Sequence, residues 1–457
     1  MKQPPPFQND LAVFVGDLRS LLFSSQRQAA DFFGVSRPTI TRYENGTHRP
    51  PLGYLAALAR LVAERQAENF TAYQDRLLQE VNRAVRYSYR DLPFTNWIEL
   101  FAIAEEVVSR PAPEQTQSKS DPIDVWQYNA GSGIAAVSIS ADGETLIAGT
   151  LDKRVICLDN RGELRWQHQI GNQVWRTAIS ADGQTIVAGT GSTRPWDLTG
   201  RGLFCLTNDG NLRWQAVLGE SVWGLALSAD GQTVAIGTSG KKLIIFDGQG
   251  NRLWEQKISG FGPYAWVWST ALSADGQVIA TGAADKYIRL FAKNGGILAE
   301  YRARGDVFSV TVSADGETVA AGDGAGYIYW LDRQGRLLWQ EQLADTVWAT
   351  MLSMDGTRLL VGAGEKEAHL RIYDQAGRLL WRRYVEGSIS NLAFSAAGQR
   401  VAVGTRSGGI HIFGDAGSVL QQQHVSHSVR DVAVSESGKH MIAGSENGYL
   451  YGFRLSY

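Results

Sequence analysis

A Ser-Ala-Asp-Gly tetrapeptide begins at Ser140, Ser180, Ser228, Ser273 and Ser313, and returns in drifted form at Ser353, Ser395 and Ser435. The copies are 40, 48, 45, 40, 40, 42 and 40 residues apart. A period of about 42 residues is that of one four-stranded propeller blade, a unit that buries its apolar faces only against its neighbours. Each turn has an apolar run before it, such as Val222 to Leu227, and another after it, such as Thr233 to Gly237. A strictly alternating run such as Lys242 to Phe246 follows, then a Gly turn that opens a fourth run. Period-2 runs bounded by Asp, Gly and Asn are strand signals, so each copy reads as four antiparallel strands, lettered a to d.

Fourteen residues before the turn Ser stands Trp126, Trp166, Trp214, Trp339 or Trp381; Ala299 and Gln421 replace it in two copies, and Trp254 lies 19 residues before Ser273. Trp126 has no strand c ahead of it, and the last copy ends after its third strand. An orphan first strand that completes the last copy closes a ring of eight blades and removes free sheet edges. An array with that strand unpaired is the competing count. The fold class is thus all-β over 123–457, an eight-bladed propeller closed by the strand around Trp126.

From strand a through the Ser-Ala-Asp-Gly turn the repeat resembles a WD-repeat, without the usual Gly-His and Trp-Asp dipeptides; Asp152 and Asp285 alone match the Asp before strand c. Asp159 to Trp166, repeated at 332–339 and 374–381, resembles the tryptophan-docking motif of eight-bladed quinoprotein-like propellers. The resemblance implies that these tryptophans pack between neighbouring blades. Cys157 and Cys205 occupy equivalent strand c positions, a buried packing role and a poor disulfide.

Residues 1–62 follow a different period. Leu11, Phe14, Leu18, Leu21 and Leu22 recur at helical spacing, Gly34 stops a helix opened after Ser25, and Ser36 caps another with Pro38 in its first turn. The stretch from Ser25 to Pro50, SQRQAADFFGVSRPTITRYENGTHRP, is similar to the helix-turn-helix of phage-repressor-type (Cro/XRE-like) DNA-binding proteins. The resemblance implies an all-α reader of double-stranded DNA whose helix from Arg37 to Asn45 enters the major groove. Arg37 and Arg42 would then meet guanine edges, Thr39 and Thr41 would read beside them, and Gln26, Asn45, Thr47 and Arg49 would hold phosphates. Glu44 matches a structural acid that pairs with an arginine of the first helix, here Arg19. The same segment also fits a small helical packing domain without DNA.

Charge favours the DNA reader. The whole chain carries 44 Lys+Arg against 46 Asp+Glu, whereas residues 1–62 hold seven against four, the only segment with a positive balance. Residues 63–109 carry two amphipathic stripes broken at Asp91-Leu92-Pro93, which suits either a spacer or a hairpin that makes the chain a homodimer. Residues 110–122 read as a flexible linker. The start MKQPPPFQND lacks the apolar core of a signal peptide, and no apolar run reaches the roughly 18 residues of a membrane span. A cytoplasmic protein with no membrane partner is the expectation.

A second candidate site lies in the repeat. Five residues before each turn Ser comes Ala135, Trp175, Trp223, Trp268, Phe308, Trp348, Ser390 or Arg430, each after an Ile or Val. This position starts the innermost strand, so its aromatics and Arg430 are expected at the channel mouth. Two insertions fall on the same face: residues 191–200 with Arg194 and Trp196, and residues 260–266 with Tyr264 and Trp266. Such rings either plug a wide channel or form a surface for a protein or small ligand. The sequence carries no phosphate-loop, nucleophile-elbow or metal-ligand pattern beyond His424-Val-Ser-His427, which reads as a surface loop. No enzyme activity and no cofactor are expected. The preferred reading is a DNA-binding transcriptional regulator with a propeller that senses a ligand or docks a protein; the alternatives are an interaction scaffold and, less favoured, a quinone-dependent enzyme.

Overall fold

The computed structural model describes Arg27, Arg37 and residues 124–192, 200–258, 266–364, 369–396 and 398–455. The chain divides into two compact units, 1–119 and 120–457. Among the described residues of the second, 32 strands run from β1 (Asp124–Asn129) to β32 (Tyr449–Arg454) and form eight antiparallel sheets of four. Blades 1 to 7 take residues 134–169, 173–217, 222–257, 267–302, 307–342, 347–384 and 389–424 in chain order. Blade 8 combines three strands from 429–454 with β1, which pairs along the outer edge of β32 from Asp124 opposite Arg454 to Asn129 opposite Tyr449. The eight blades that the sequence predicts are all present.

The Ser-Ala-Asp-Gly residues explain the tight a–b turns. Ser140 Oγ donates to Asp142 Oδ1 at 2.5 Å and accepts from Thr145 N at 3.0 Å, while Gly143 takes a φ of 81° that side chains rarely adopt. The residue after each Ser joins the blades. Its N–H donates to the carbonyl of its counterpart in the next blade, from Ala141 to Ala181, Ala229, Ala274, Ala314, Met354, Ala396, Glu436 and back to Ala141, at 2.9–3.2 Å. These backbone bonds form a closed circle around the channel. Apolar residues of strands b and c fill the space between blades; both cysteines are free and fully buried there, and burial pushes Cys157 up to about 12 and Cys205 to about 11.

The docking tryptophans lie on the c–d turn of the next blade. Trp126, Trp166, Trp214 and Trp254 donate Nε1–H to the carbonyls of Asn160, Asn208, Gly248 and Lys293 at 2.5–3.1 Å. Each ring covers the turn glycine two residues further on; a Cβ on Gly250, for example, would stand 2.6 Å from Trp214. One reading from the WD-repeat pattern needs enlarging. Besides Asp152, bonded to Thr150 and Arg154, and Asp285, paired with Arg289 at 2.7 Å, blade 5 builds a buried network on Asp323. Asp323 accepts from the Tyr329 hydroxyl and from the N–H groups of Gly305, Ala325 and Tyr327. Asp323 stands two residues before the Asp position of the motif, so spacing alone passes over it.

Candidate functional site

Every innermost strand carries a register shift at one place. The irregularity falls between Ile134 and Ala136, Val174 and Arg176, Val222 and Gly224, Val267 and Ser269, and at the same step in blades 5 to 8. The residue inside the bulge is Ala135, Trp175, Trp223, Trp268, Phe308, Trp348, Ser390 or Arg430, the position that the sequence singles out. A bulge re-aims one side chain while the apolar residue before it, such as Val222 at 0% exposure, stays between blades.

The re-aimed rings touch. Trp175 and Trp223 have centroids 4.6 Å apart, Trp223 and Trp266 4.9 Å, Trp223 and Trp268 5.4 Å, Trp268 and Phe308 5.8 Å, and Phe308 and Trp348 4.8 Å. Arg406 of blade 7 lies over the Trp348 ring at 5.0 Å and ends the arc with a cation–π contact. All six rings are half-buried, and the arc spans blades 2 to 6. The Trp223 and Trp268 Nε1 atoms are buried with no conventional acceptor, and Trp268 packs edge-on against both Trp223 and Trp266. Neighbouring rings along the arc are in direct contact.

The other side of the mouth is small and polar. Ala135 and Ser390 replace aromatics, and Arg430 is not among the rings; it pairs with Glu446 and is half exposed. One step deeper stands Asp431. It accepts from Val137 N at 2.7 Å, from Val432 N at 3.0 Å and from the Asn391 side chain, and burial pushes its carboxyl up to about 6 against the pull of Arg176 in blade 2. Arg176 donates to the Trp223 and Trp175 carbonyls at 2.7 and 2.9 Å, which ties this polar floor to the aromatic arc. Sequence spacing finds the rings but misses Arg406, Arg176 and Asp431, which meet them only through the closure of the ring.

Arg194, Trp196 and Tyr264 lie outside the described residues. So do Gln26, Thr39, Thr41, Arg42, Asn45, Thr47 and Arg49 of the DNA-reading set, and Arg19 with Glu44. Arg37, within the first unit, is helical and exposed, as a base-reading side chain must be, and Arg27 is likewise. Among the described residues no group of three or more His, Cys, Asp or Glu side chains is placed to hold a metal ion, and no helix is long and apolar enough to cross a membrane.

Fold and site together define an eight-bladed propeller with a bulged aromatic mouth, on a chain whose first unit has the sequence of a helix-turn-helix. A family model described as outer membrane protein assembly factor BamB matches residues 118–265 and 265–444, and one described as helix-turn-helix domain matches residues 10–68. The first covers more than two thirds of the chain, which therefore belongs to that propeller family. No curated protein matches the chain. Among solved structures, the computationally designed Ika8 protein aligns at 17% identity with a TM-score of 0.59, over 72% of this chain and 98% of its own. Sqt1 of Chaetomium thermophilum, bound to the N-terminus of the ribosomal protein L10, aligns at 16% with a TM-score of 0.61 and the same coverage. Identities this low speak for the propeller fold alone.

Proposed function

We propose that the chain is a transcriptional regulator: its helix-turn-helix binds operator DNA as a dimer, and the propeller mouth receives a protein or small ligand that modulates this binding. The observation that carries the reading is the union, in one chain, of a matched helix-turn-helix at 10–68 with a propeller at 118–444. The basic balance of residues 1–62 and the exposed helical Arg37 support the DNA half. The unbroken arc from Trp175 to Trp348 supports the receptor half, since half-buried aromatics capped by an arginine are the usual anchors of recognition. Dimerisation follows from the two half-sites that such readers span one DNA turn apart. The reading assigns the chain no catalytic step and places its work in the cytoplasm, with the DNA.

Binding to DNA from the protein's own promoter, measured against salt, tests the first half. The wild type should bind with an affinity that falls steeply as salt rises, and Arg37→Ala/Arg42→Ala should weaken specific binding about tenfold or more. Undiminished binding by the double variant removes the recognition-helix assignment, and no DNA binding at all favours the interaction scaffold. Changing Trp175, Trp223 and Trp348 to Ala tests the second half: partner capture from extract should be lost while the fold is kept, and unchanged capture returns the rings to channel filling.

A further inference from the structure

The top rim between blades 4 and 5 holds an open depression of about 550 Å³ lined by Lys286, Tyr301, Arg302, Ala303 and Arg304. Lys286, Arg302 and Arg304 are exposed, and among the described residues none of their side chains has a hydrogen-bond or ion-pair partner. The neighbouring carboxylates are committed elsewhere. Asp285 and Glu300 both pair with Arg289 at 2.7 Å, and Asp323 is saturated by Tyr329 and three backbone N–H groups. Asp306 faces Lys286 electrostatically without forming an ion pair with it. Counted together, Lys286, Arg289, Arg302 and Arg304 balance Asp285, Glu300, Asp306 and Asp323, so the neighbourhood is neutral overall, but the three cations that line the depression are exposed and unpaired.

These cations are held in place. The backbone that presents them is fixed: Ala303 N donates to Lys286 O and Arg304 N to the Tyr329 hydroxyl, both at 2.8 Å. Lys286 stands at a φ of 68° in the b–c turn, as Lys153 and Lys241 do at 75° and 65° in blades 1 and 3, whereas blades 5, 7 and 8 use Gly326, Gly408 and Gly448. A lysine there costs backbone strain that glycine avoids, and it does so in three blades alike. The Arg-x-Arg of 302–304 belongs to blade 4 alone: the matching pairs are Gln169 and Gly171, Val217 and Gly219, Gln342 and Ala344, and Tyr384 and Glu386 in blades 1, 2, 5 and 6.

We infer that this depression is an anion site for a phosphate-bearing small molecule, with Lys286, Arg302 and Arg304 on the phosphate and the Tyr301 ring against the remainder of the ligand. Guanidinium groups match phosphate oxygens in geometry as well as charge, and the volume lies in the range of small-ligand pockets. The site shares no residue with the proposed DNA reader or the aromatic mouth.

Calorimetric titration of the full chain at low salt, with inorganic phosphate and pyrophosphate as probes, tests this. The wild type should bind pyrophosphate saturably and more tightly than phosphate, and Arg302→Gln/Arg304→Gln should weaken it by about tenfold or more. Lys286→Gly should also weaken it while leaving the thermal midpoint unchanged or higher, which a purely structural lysine would not do. A parallel arm uses a DNA duplex of arbitrary sequence. If the blade 4 variants lower its affinity and salt slope, the phosphate belongs to a nucleic-acid backbone; if they leave DNA binding intact, it belongs to a free small molecule. Arg37→Ala/Arg42→Ala should retain pyrophosphate binding, so failure of the DNA reader and failure of this site are distinguishable. Absence of saturable binding to either probe in the wild type, or equal binding by wild type and blade 4 variants, overturns the inference.

Discussion

Asp431 shows how one residue type takes opposite roles in this fold. In the a–b turns the Ser180 and Ser273 hydroxyls, with the N–H groups of Gln184 and Gln277, hold Asp182 and Asp275 below the usual carboxylate range. The stability they contribute is present at neutral pH and is lost only as pH falls through their depressed folded values. In the channel the sign reverses. Burial raises Asp431 from 3.8 to about 6, and three hydrogen bonds and Arg176 only partly offset it. The folded state therefore holds a proton that the unfolded chain has already released, and stability declines as pH rises from about 4 to about 6, by about 3 kcal/mol from this group. Thermal unfolding at several pH values between these limits should show this slope in the wild type, and Asp431→Asn should flatten it. The turn aspartates act below that window. An unaltered slope in the variant means that another group titrates there.

At the scale of strands and turns, the docking tryptophan and its glycine act as one unit across two blades, and the two exceptions have different causes. In blade 4 the ring is replaced by Ala299, yet blade 5 retains the turn and Gly335, whose added Cβ would stand 2.6 Å from the Ala299 Cβ. In blade 7 it is replaced by Gln421, and blade 8 has no c–d turn for a ring to cover, because its strands c and d are β32 and β1, from opposite ends of the chain. The Gly335 contact leaves no room for an indole, so Ala299→Trp should force the turn outward and lower stability by about 1 kcal/mol or more, whereas Gln421→Trp, which faces no turn, should change it little. Chemical denaturation of the two variants beside the wild type checks this; equal effects would mean that the turn gives way to the ring at no cost. The repeat made this much legible: turn serines, docking tryptophans, blade number and even the bulge residue sit at fixed distances from one another. What stayed hidden depends on contacts between distant repeats with no shared spacing. Arg406 reaches Trp348 from the next blade, Arg176 feels Asp431 across blade 1, and Lys286 meets Arg304 through the d–a loop.

For the whole molecule, the net charge of −2 averages a basic reader and a mildly acidic propeller, while closure of the ring leaves no blade with an open neighbour face. Two devices close it. One is the final link of the turn circle, the bond from Glu436 N to Ala141 O at 3.1 Å, worth about 1 kcal/mol in net terms. The other is β1, which covers the outer edge of β32, lays Trp126 on Gly162 and bonds it to the Asn160 carbonyl. Without β1, β32 would present a bare edge beside the buried Leu450 and Phe453, a template for association with other chains. The strand should dominate, since a large aromatic junction alone is worth about 3 kcal/mol and a ladder of backbone bonds adds to it. A chain beginning at Ser120 should thus unfold at the midpoint of the intact propeller, whereas one beginning at Ala130 should lose roughly 10 °C or more, or associate. Circular dichroism melts with size-exclusion chromatography separate these outcomes. Equal midpoints for the two chains would mean that the circle of turn hydrogen bonds holds the eight blades together without its outermost strand.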